Sequence, residues 1–198
     1  MSKAFRIRRI ETFGAHEYDG LSSVLIDCVE GGDSIGFMLP ITRDKAETHW
    51  RGAAASAACG ERVILVAEDS LGEIVGTVSV LWAAMENQPH RADVAKMQVH
   101  RRARRQGVGA SLLQAAERVA LEAGRTLLVL DTASADAERL YKRSGWILCG
   151  IIPNYALMPD GSLCDTTVLY KQLTSCSMMS TFETRAGDER ANASELFV

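Results

Sequence analysis

Residues 92–124 constrain this chain most: a strand-like run, a basic lead-in, two glycines, and then a clean amphipathic helix. The apolar stripe is Val108, Leu112, Ala116, Val119 and Ala123, with Leu113 and Ala120 beside it and Gln114, Glu117, Arg118 and Glu122 opposite. That period predicts a helix over 107–124, stopped by Gly124 and packed by one face on a sheet. Ahead of it lies His100-Arg101-Arg102-Ala103-Arg104-Arg105-Gln106-Gly107-Val108-Gly109-Ala110. Two glycines let the backbone turn tightly and approach a ligand with no Cβ in the way. The helix start leaves amide N–H groups unpaired at the positive end of the dipole, and the arginines add charge. Together these describe a cradle for a phosphate or pyrophosphate.

Other readings fit less well. A dinucleotide loop wants a third glycine where Leu112 stands. A P-loop wants a lysine that Gly109-Ala110-Ser111 lacks. A nucleic-acid patch would use the arginines, but no aromatics interleave with them and the formal net charge is −3. A plain helix start with surface arginines asks least of these residues.

The rest of the chain supplies a mixed α/β frame. Ala4–Ile10 alternates like a short first strand. Leu21, Val24, Leu25, Cys28 and Val29 recur at helical spacing between Ala15 and Glu30, before Gly31-Gly32. Gly20 weakens that helix. Thr42 can cap a second helix running to Cys59-Gly60. Val63–Glu68 and Glu73–Trp82 read as strands joined by the hairpin Asp69-Ser70-Leu71-Gly72.

Ala92–Val99 reads as a strand with Val94, Lys96 and Gln98 on one face and Asp93, Ala95, Met97 and Val99 on the other. Thr126–Leu130 is nearly all apolar and is expected to be a central strand buried on both faces. A helix over 135–144, a strand over 146–152, a loop over 153–162 and a strand over 164–173 complete the order. One sheet flanked by helices is therefore expected over residues 1–174, with 175–198 as a flexible tail lacking any periodic apolar face.

Composition narrows the setting. Of 198 residues, 47% are hydrophobic and 24% charged, which suits one ordinary globular domain with a core of its own. No apolar run approaches a membrane span, and no apolar segment follows the charged N-terminus. Cys28, Cys59, Cys149, Cys164 and Cys176 are odd in number with no C-x-x-C pair, and His16, His49, His90 and His100 lack metal-ligand spacing. A cytoplasmic chain with reduced thiols, no metal, and no nucleic-acid or membrane partner is the expectation.

The run from Arg104 to Gly109 strongly resembles the acyl-CoA loop of the GNAT superfamily of N-acetyltransferases, Arg/Gln-x-x-Gly-x-Gly/Ala between strand and helix. Ala137-Glu138-Arg139-Leu140-Tyr141-Lys142-Arg143-Ser144-Gly145-Trp146 resembles a second segment of that family, with Trp146 for the usual Phe. The two follow in the right order with a strand between them. Residues 31–38, 91–99, 130–132 and 159–161 further resemble the tabtoxin-resistance branch, whose members acetylate a small amino-acid-like antibiotic. The fold implied is a single mixed, mostly antiparallel sheet with a splayed central parallel strand pair.

The resemblance implies acetyl-CoA as cosubstrate and direct transfer to a primary amine. It places CoA contacts at Met97, Gln98, Val99, Arg104, Arg105, Gln106, Gly107, Val108, Gly109, Ala110, Ser134 and Tyr141, with Arg102 also near the phosphates. Ser134 stands where the family often has Asn. The Val99 amide would polarise the thioester carbonyl, and Tyr141 would protonate the departing thiolate. Asp93 and Asp131 are candidates for deprotonating the amine. An aliphatic amine near pKa ~10 is almost wholly protonated at neutral pH and needs a base or a water chain. The acceptor site would be lined by 30–37 and 154–161. A small polar amine, a peptide amine and a non-catalytic CoA sensor remain as alternatives. The resemblance also allows a homodimer.

Overall fold

In a computed structural model of the chain, residues 5–174 are described; the expected tail lies outside them. The elements are β1 (Arg6–Arg9), α1 (Ala15–Glu30), α2 (Arg43–Ala58), β2 (Arg62–Glu68), β3 (Ile74–Trp82), β4 (Arg91–Val99), α3 (Val108–Glu122), β5 (Leu127–Thr132), α4 (Ala135–Arg143), β6 (Ile147–Leu157) and β7 (Leu163–Gln172). A single 3-10 turn, Arg101–Ala103, separates β4 from the glycine loop. Seven strands make one sheet in the order β1-β2-β3-β4-β5-β7-β6. Every pairing is antiparallel except β4 with β5. This is the expected mixed sheet with a central parallel pair.

Helices cover both faces of β2 and β3. In β2, Val63, Leu65 and Ala67 join the core under α3, while Ile64 and Val66 join the core under α1 and α2. Period-2 alternation sends neighbours to opposite cores, so the run Val63–Ala67 can be apolar throughout. Leu21, Leu25 and Trp50 are fully buried in the second core, and each such leucine contributes about 1.5–3 kcal/mol by burial. Gly20 has a packing reason to be in α1: a Cβ there would lie 2.8 Å from the Ile74 Cβ. The Thr42 hydroxyl caps α2 by accepting the Lys45 amide at 3.2 Å.

Three expectations need correction, and each correction bears on the site. First, β5 is not buried on both faces. Leu128 and Leu130 enter the α3-side core while Asp131 is exposed on the other side, because α1 and α2 cover β2 to β4 and stop short of β5. Second, the faces of β4 do not alternate strictly. Thr77 pairs with Gln98 and Ser79 with Ala95, so β4 holds one extra residue, and Lys96 takes φ 51°. This β-bulge resets the alternation: Val94, Met97 and Val99 share the α3-side core, and Gln98 turns to the opposite face with Asp93. Third, the first half of the loop expected at 153–162 is strand. β6 runs on to Leu157 with a second irregularity between Ile152 and Ala156, and Pro153 is tolerated because β6 lies at the sheet edge.

Candidate active site

The parallel pair is short. β4 meets β5 only at Arg91–Leu127, Ala92–Leu128 and Asp93–Val129. Beyond Asp93, β4 stays with β3 and β5 stays with β7. The sheet therefore forks, and a wedge opens between Val94–Val99 and Leu130–Thr132. The bulge at Lys96 bends β4 at the point where this divergence begins.

At the far end of the fork, the His100 amide donates to the Val75 carbonyl at 2.9 Å. Gly76 and Val99 face each other across β3 and β4, which makes them a non-hydrogen-bonded antiparallel pair. The Val99 N–H consequently points away from β3, into the wedge. A backbone donor freed in this way can meet developing negative charge on an acyl oxygen.

The glycine loop follows directly. Gly107 is the N-cap of α3 with φ 85°, a conformation that favours glycine. The Ser111 amide is bonded to the Gly107 carbonyl, so the helix ladder begins there and the amides of Val108, Gly109 and Ala110 have no intrahelical partner. No acidic residue sits in the first turn. Gly109 is needed for close packing, since a Cβ would come within 3.1 Å of Leu140 on α4 and 3.8 Å of Val99. These positions present open amides at a positive helix end and suit a pyrophosphate.

The arginines divide. Arg102 reaches Asp69 at 2.7 Å, and Arg104 donates to the Val99 carbonyl at 3.0 Å and to Asp33 at 2.5 Å. Arg104 thus ties the loop to the α1–α2 connection, and both neighbouring carboxylates keep these two cations occupied. Arg105 is exposed at φ 63° and has no such partner among the described residues. The Gln106 side chain donates to the Arg102 carbonyl at 3.0 Å and braces the turn. Ser134 caps α4 by accepting the Ala137 amide at 3.3 Å, which explains a short hydroxyl residue there. Met97 packs into the α3-side core, and Gln98 is 2% exposed on the opposite face, so its side chain does not border the α3 side of the wedge.

Two of the titratable candidates stand on the two arms of the fork, and the third comes from α4. Asp93 sits at its apex, held by Arg91 at 2.9 Å. Asp131 stands on the β5 arm and accepts from the Thr166 hydroxyl at 3.3 Å. Tyr141, from α4, is 4% exposed with its ring 5.8 Å from that of Trp146. Burial, with the Asp131 charge adding to it, pushes its phenol well above the ordinary value of 10. It stays protonated at neutral pH, as a proton donor must.

The opposite side of the wedge has a roof. In the α1–α2 connection, the Leu39 amide donates to the Pro159 carbonyl at 3.0 Å and the Ser34 hydroxyl donates to the Leu157 carbonyl at 3.0 Å. The connection is thereby pinned to the β6–β7 hairpin, bringing together the two segments expected to line an acceptor site. Beneath it the sequence reading missed Lys96. Its Nζ donates to the Ile35 carbonyl at 2.6 Å and lies 5.5 Å from the centre of the Phe37 ring. Phe37 stacks edge-on with His49 at 5.2 Å. Burial, reinforced by the charges of Lys96 and Arg62, pushes the His49 pKa down to about 4. The signal for Lys96 was hidden because strict alternation put it on the wrong face.

Among the described residues, no group of three or more His, Cys, Asp or Glu side chains is arranged to hold a metal ion. No helix there is long and apolar enough to cross a membrane.

Residues 60–148 match the family model described as an acetyltransferase (GNAT) domain. The fold is similar to that of a ribosomal-protein-alanine N-acetyltransferase from Brucella melitensis, at TM-score 0.69 and 23% identity over 85% of this chain and 99% of that one. It is also similar to yncA from Salmonella typhimurium, solved with its cofactor acetyl-CoA, at TM-score 0.69 and 20% identity over 87% of this chain and 95% of that one. An N-acetyltransferase from Staphylococcus aureus Mu50 matches at TM-score 0.72 and 17% identity, covering 86% and 99% respectively.

Proposed function

We propose that this chain, which carries a GNAT acetyltransferase domain, is an acetyl-CoA-dependent N-acetyltransferase that transfers the acetyl group directly to a primary amine of a small polar, amino-acid-like molecule. The forked sheet supports this reading: the Val99 N–H turned away from β3, the unpaired first-turn amides of α3 and the Tyr141 phenol of α4 would act together at the opening between β4 and β5. The acetyl-CoA bound by the yncA protein supports the choice of cosubstrate.

Acetyl-CoA would supply an acyl thioester. The amides of Gly107, Val108, Gly109 and Ala110 would hold its pyrophosphate, and Arg105 would add a cation at the rim. The Val99 N–H would stabilise the charge building on the acyl oxygen; one such donor is typically worth about 3 kcal/mol. Asp131, or Asp93 at the fork apex, would take the ammonium proton of the acceptor directly or through water. The neutral amine would form the C–N bond as the C–S bond breaks. Tyr141 would give its proton to the sulfur, and the proton shed by the newly acylated nitrogen would return through water to the Tyr141 phenolate, leaving a neutral amide and a free thiol.

The roof favours a small acceptor over a peptide. A peptide would need an open groove, whereas the Leu39–Pro159 and Ser34–Leu157 bonds tie the α1–α2 connection to the β6–β7 hairpin and would narrow the approach for an extended chain. The motif resemblance to the tabtoxin-resistance branch supports a role in resistance to an amine-bearing antibiotic. The test follows thiol release from acetyl-CoA over two acceptor panels, small amines and peptides with free N-termini or lysines. Turnover confined to the small amines is expected; turnover confined to peptides would overturn the acceptor assignment.

A further inference from the structure

Lys96 is held where a lysine is costly. Its backbone lies at φ 51°, a left-handed conformation that costs a residue with a Cβ about 1–2 kcal/mol. Its ammonium is carried under the roof, and burial opposes its charge. A buried cation ordinarily finds a carboxylate, yet Lys96 forms no ion pair among the described residues. Its protein contacts are one backbone carbonyl, Ile35, and the face of Phe37. One of its three N–H donors is used by that carbonyl, which leaves two.

The surroundings make this cation more insistent. Arg62 repels it and Asp131 attracts it from across the wedge. Asp131 is engaged with Thr166 on the β5 arm and stands too far away to close an ion pair. The wedge therefore has an acidic pole on β5 and a basic pole on the β4 bulge, beneath one roof. A molecule bearing both an amine and a carboxylate complements both poles.

We propose that Lys96 is a specificity-determining residue of the acceptor site, its two remaining N–H donors binding a carboxylate carried by the amine that is acetylated. The inference rests on the amine-acetylating reading above. It explains why a strained backbone position carries a lysine: the bulge lifts the ammonium off the regular β4 face and under Ile35 and Phe37. Removing the ammonium should then act on the affinity for acidic acceptors alone.

The test uses matched acceptors that differ by one carboxylate: ornithine and putrescine, lysine and cadaverine, 2,4-diaminobutyrate and 1,3-diaminopropane. The unaltered chain should favour the acidic member by about tenfold or more in kcat/KM, the size of one charge-assisted hydrogen bond. Lys96→Met should erase that preference through KM, with kcat on the simple diamines retained, and Lys96→Arg should restore part of it. An unaltered chain that treats both members of each pair alike overturns the inference and leaves amine acetylation standing. Equal losses on both members in Lys96→Met also overturn it, making Lys96 a brace for residues 35–37. Failure on every amine overturns the underlying acetyltransferase reading, and the inference with it. Should Lys96→Met fail to fold, the comparison within the unaltered chain still decides.

Discussion

Tyr141 is nearly sealed from solvent against Trp146, and its burial has a kinetic consequence. Desolvation, with the Asp131 charge beside it, raises its pKa above 10, so the phenol remains a loaded donor through the whole neutral and mildly alkaline range. In the proposed transfer, replacing it would remove a proton that is needed only when the thiolate leaves. Tyr141→Phe should lower kcat on the order of 100-fold, within the usual range for a positioned acid, while acetyl-CoA affinity changes by less than about twofold. Below pH 10 the shape of the pH–rate profile should be unchanged and only its height reduced, since the raised pKa keeps Tyr141 out of the basic limb. Steady-state kinetics with calorimetric binding checks both halves. Weakened binding with intact turnover would remove Tyr141 from the chemistry.

Elements show which parts of this fold could be read from residues alone. α3 was legible because its stripe is unbroken from Val108 to Ala123 and Gly107 and Gly124 bracket it. α1 was legible for the same reason, although Gly20 argued against it. The structure gives that glycine its cause in Ile74, 2.8 Å from where a Cβ would stand. Gly20→Ala should therefore destabilise the chain. The gain of about 1 kcal/mol in helix propensity is outweighed by an overpacking cost of about 1–3 kcal/mol. Thermal melting should show a lower Tm, and the losses from Gly20→Ala and Ile74→Ala should be less than additive in the double variant; a higher Tm for Gly20→Ala would mean that the α1–β3 contact yields easily.

What could not be read were departures from period. The extra residue at Lys96 has no mark in Ala95-Lys96-Met97-Gln98, since no glycine announces a bulge with positive φ. One unsignalled residue exchanged the faces of the three that follow it in β4, Met97, Gln98 and Val99. β5 misled in a different way. An apolar run like Thr126–Leu130 records that a strand is central, but not that the helices on one side stop short of it. Which arginines are held by carboxylates was also beyond sequence, because Asp33 and Asp69, the partners of Arg104 and Arg102, lie more than 30 residues upstream.

At the scale of the whole molecule, one topological fact organises the site. A parallel pair in an otherwise antiparallel sheet, held together by only three register pairs, must part, because β4 is committed to β3 and β5 to β7. The gap lies between α3, which starts at the glycine loop, and the α1–α2 connection, which is bonded to the β6–β7 hairpin; in the proposed reaction the first would hold the cosubstrate, the second would border the acceptor, and α4 would supply Tyr141. In the proposed reaction this fork and the α3 start hold acetyl-CoA. The direct test is isothermal titration of acetyl-CoA into the unaltered chain and into Arg105→Glu, an exposed position whose reversal leaves the core untouched. The unaltered chain should bind it in the micromolar range, about −8 kcal/mol at 1 μM. Charge reversal should weaken binding by about tenfold at low salt and by less as screening rises. A folded, unaltered chain that binds no acetyl-CoA would contradict the proposed reaction.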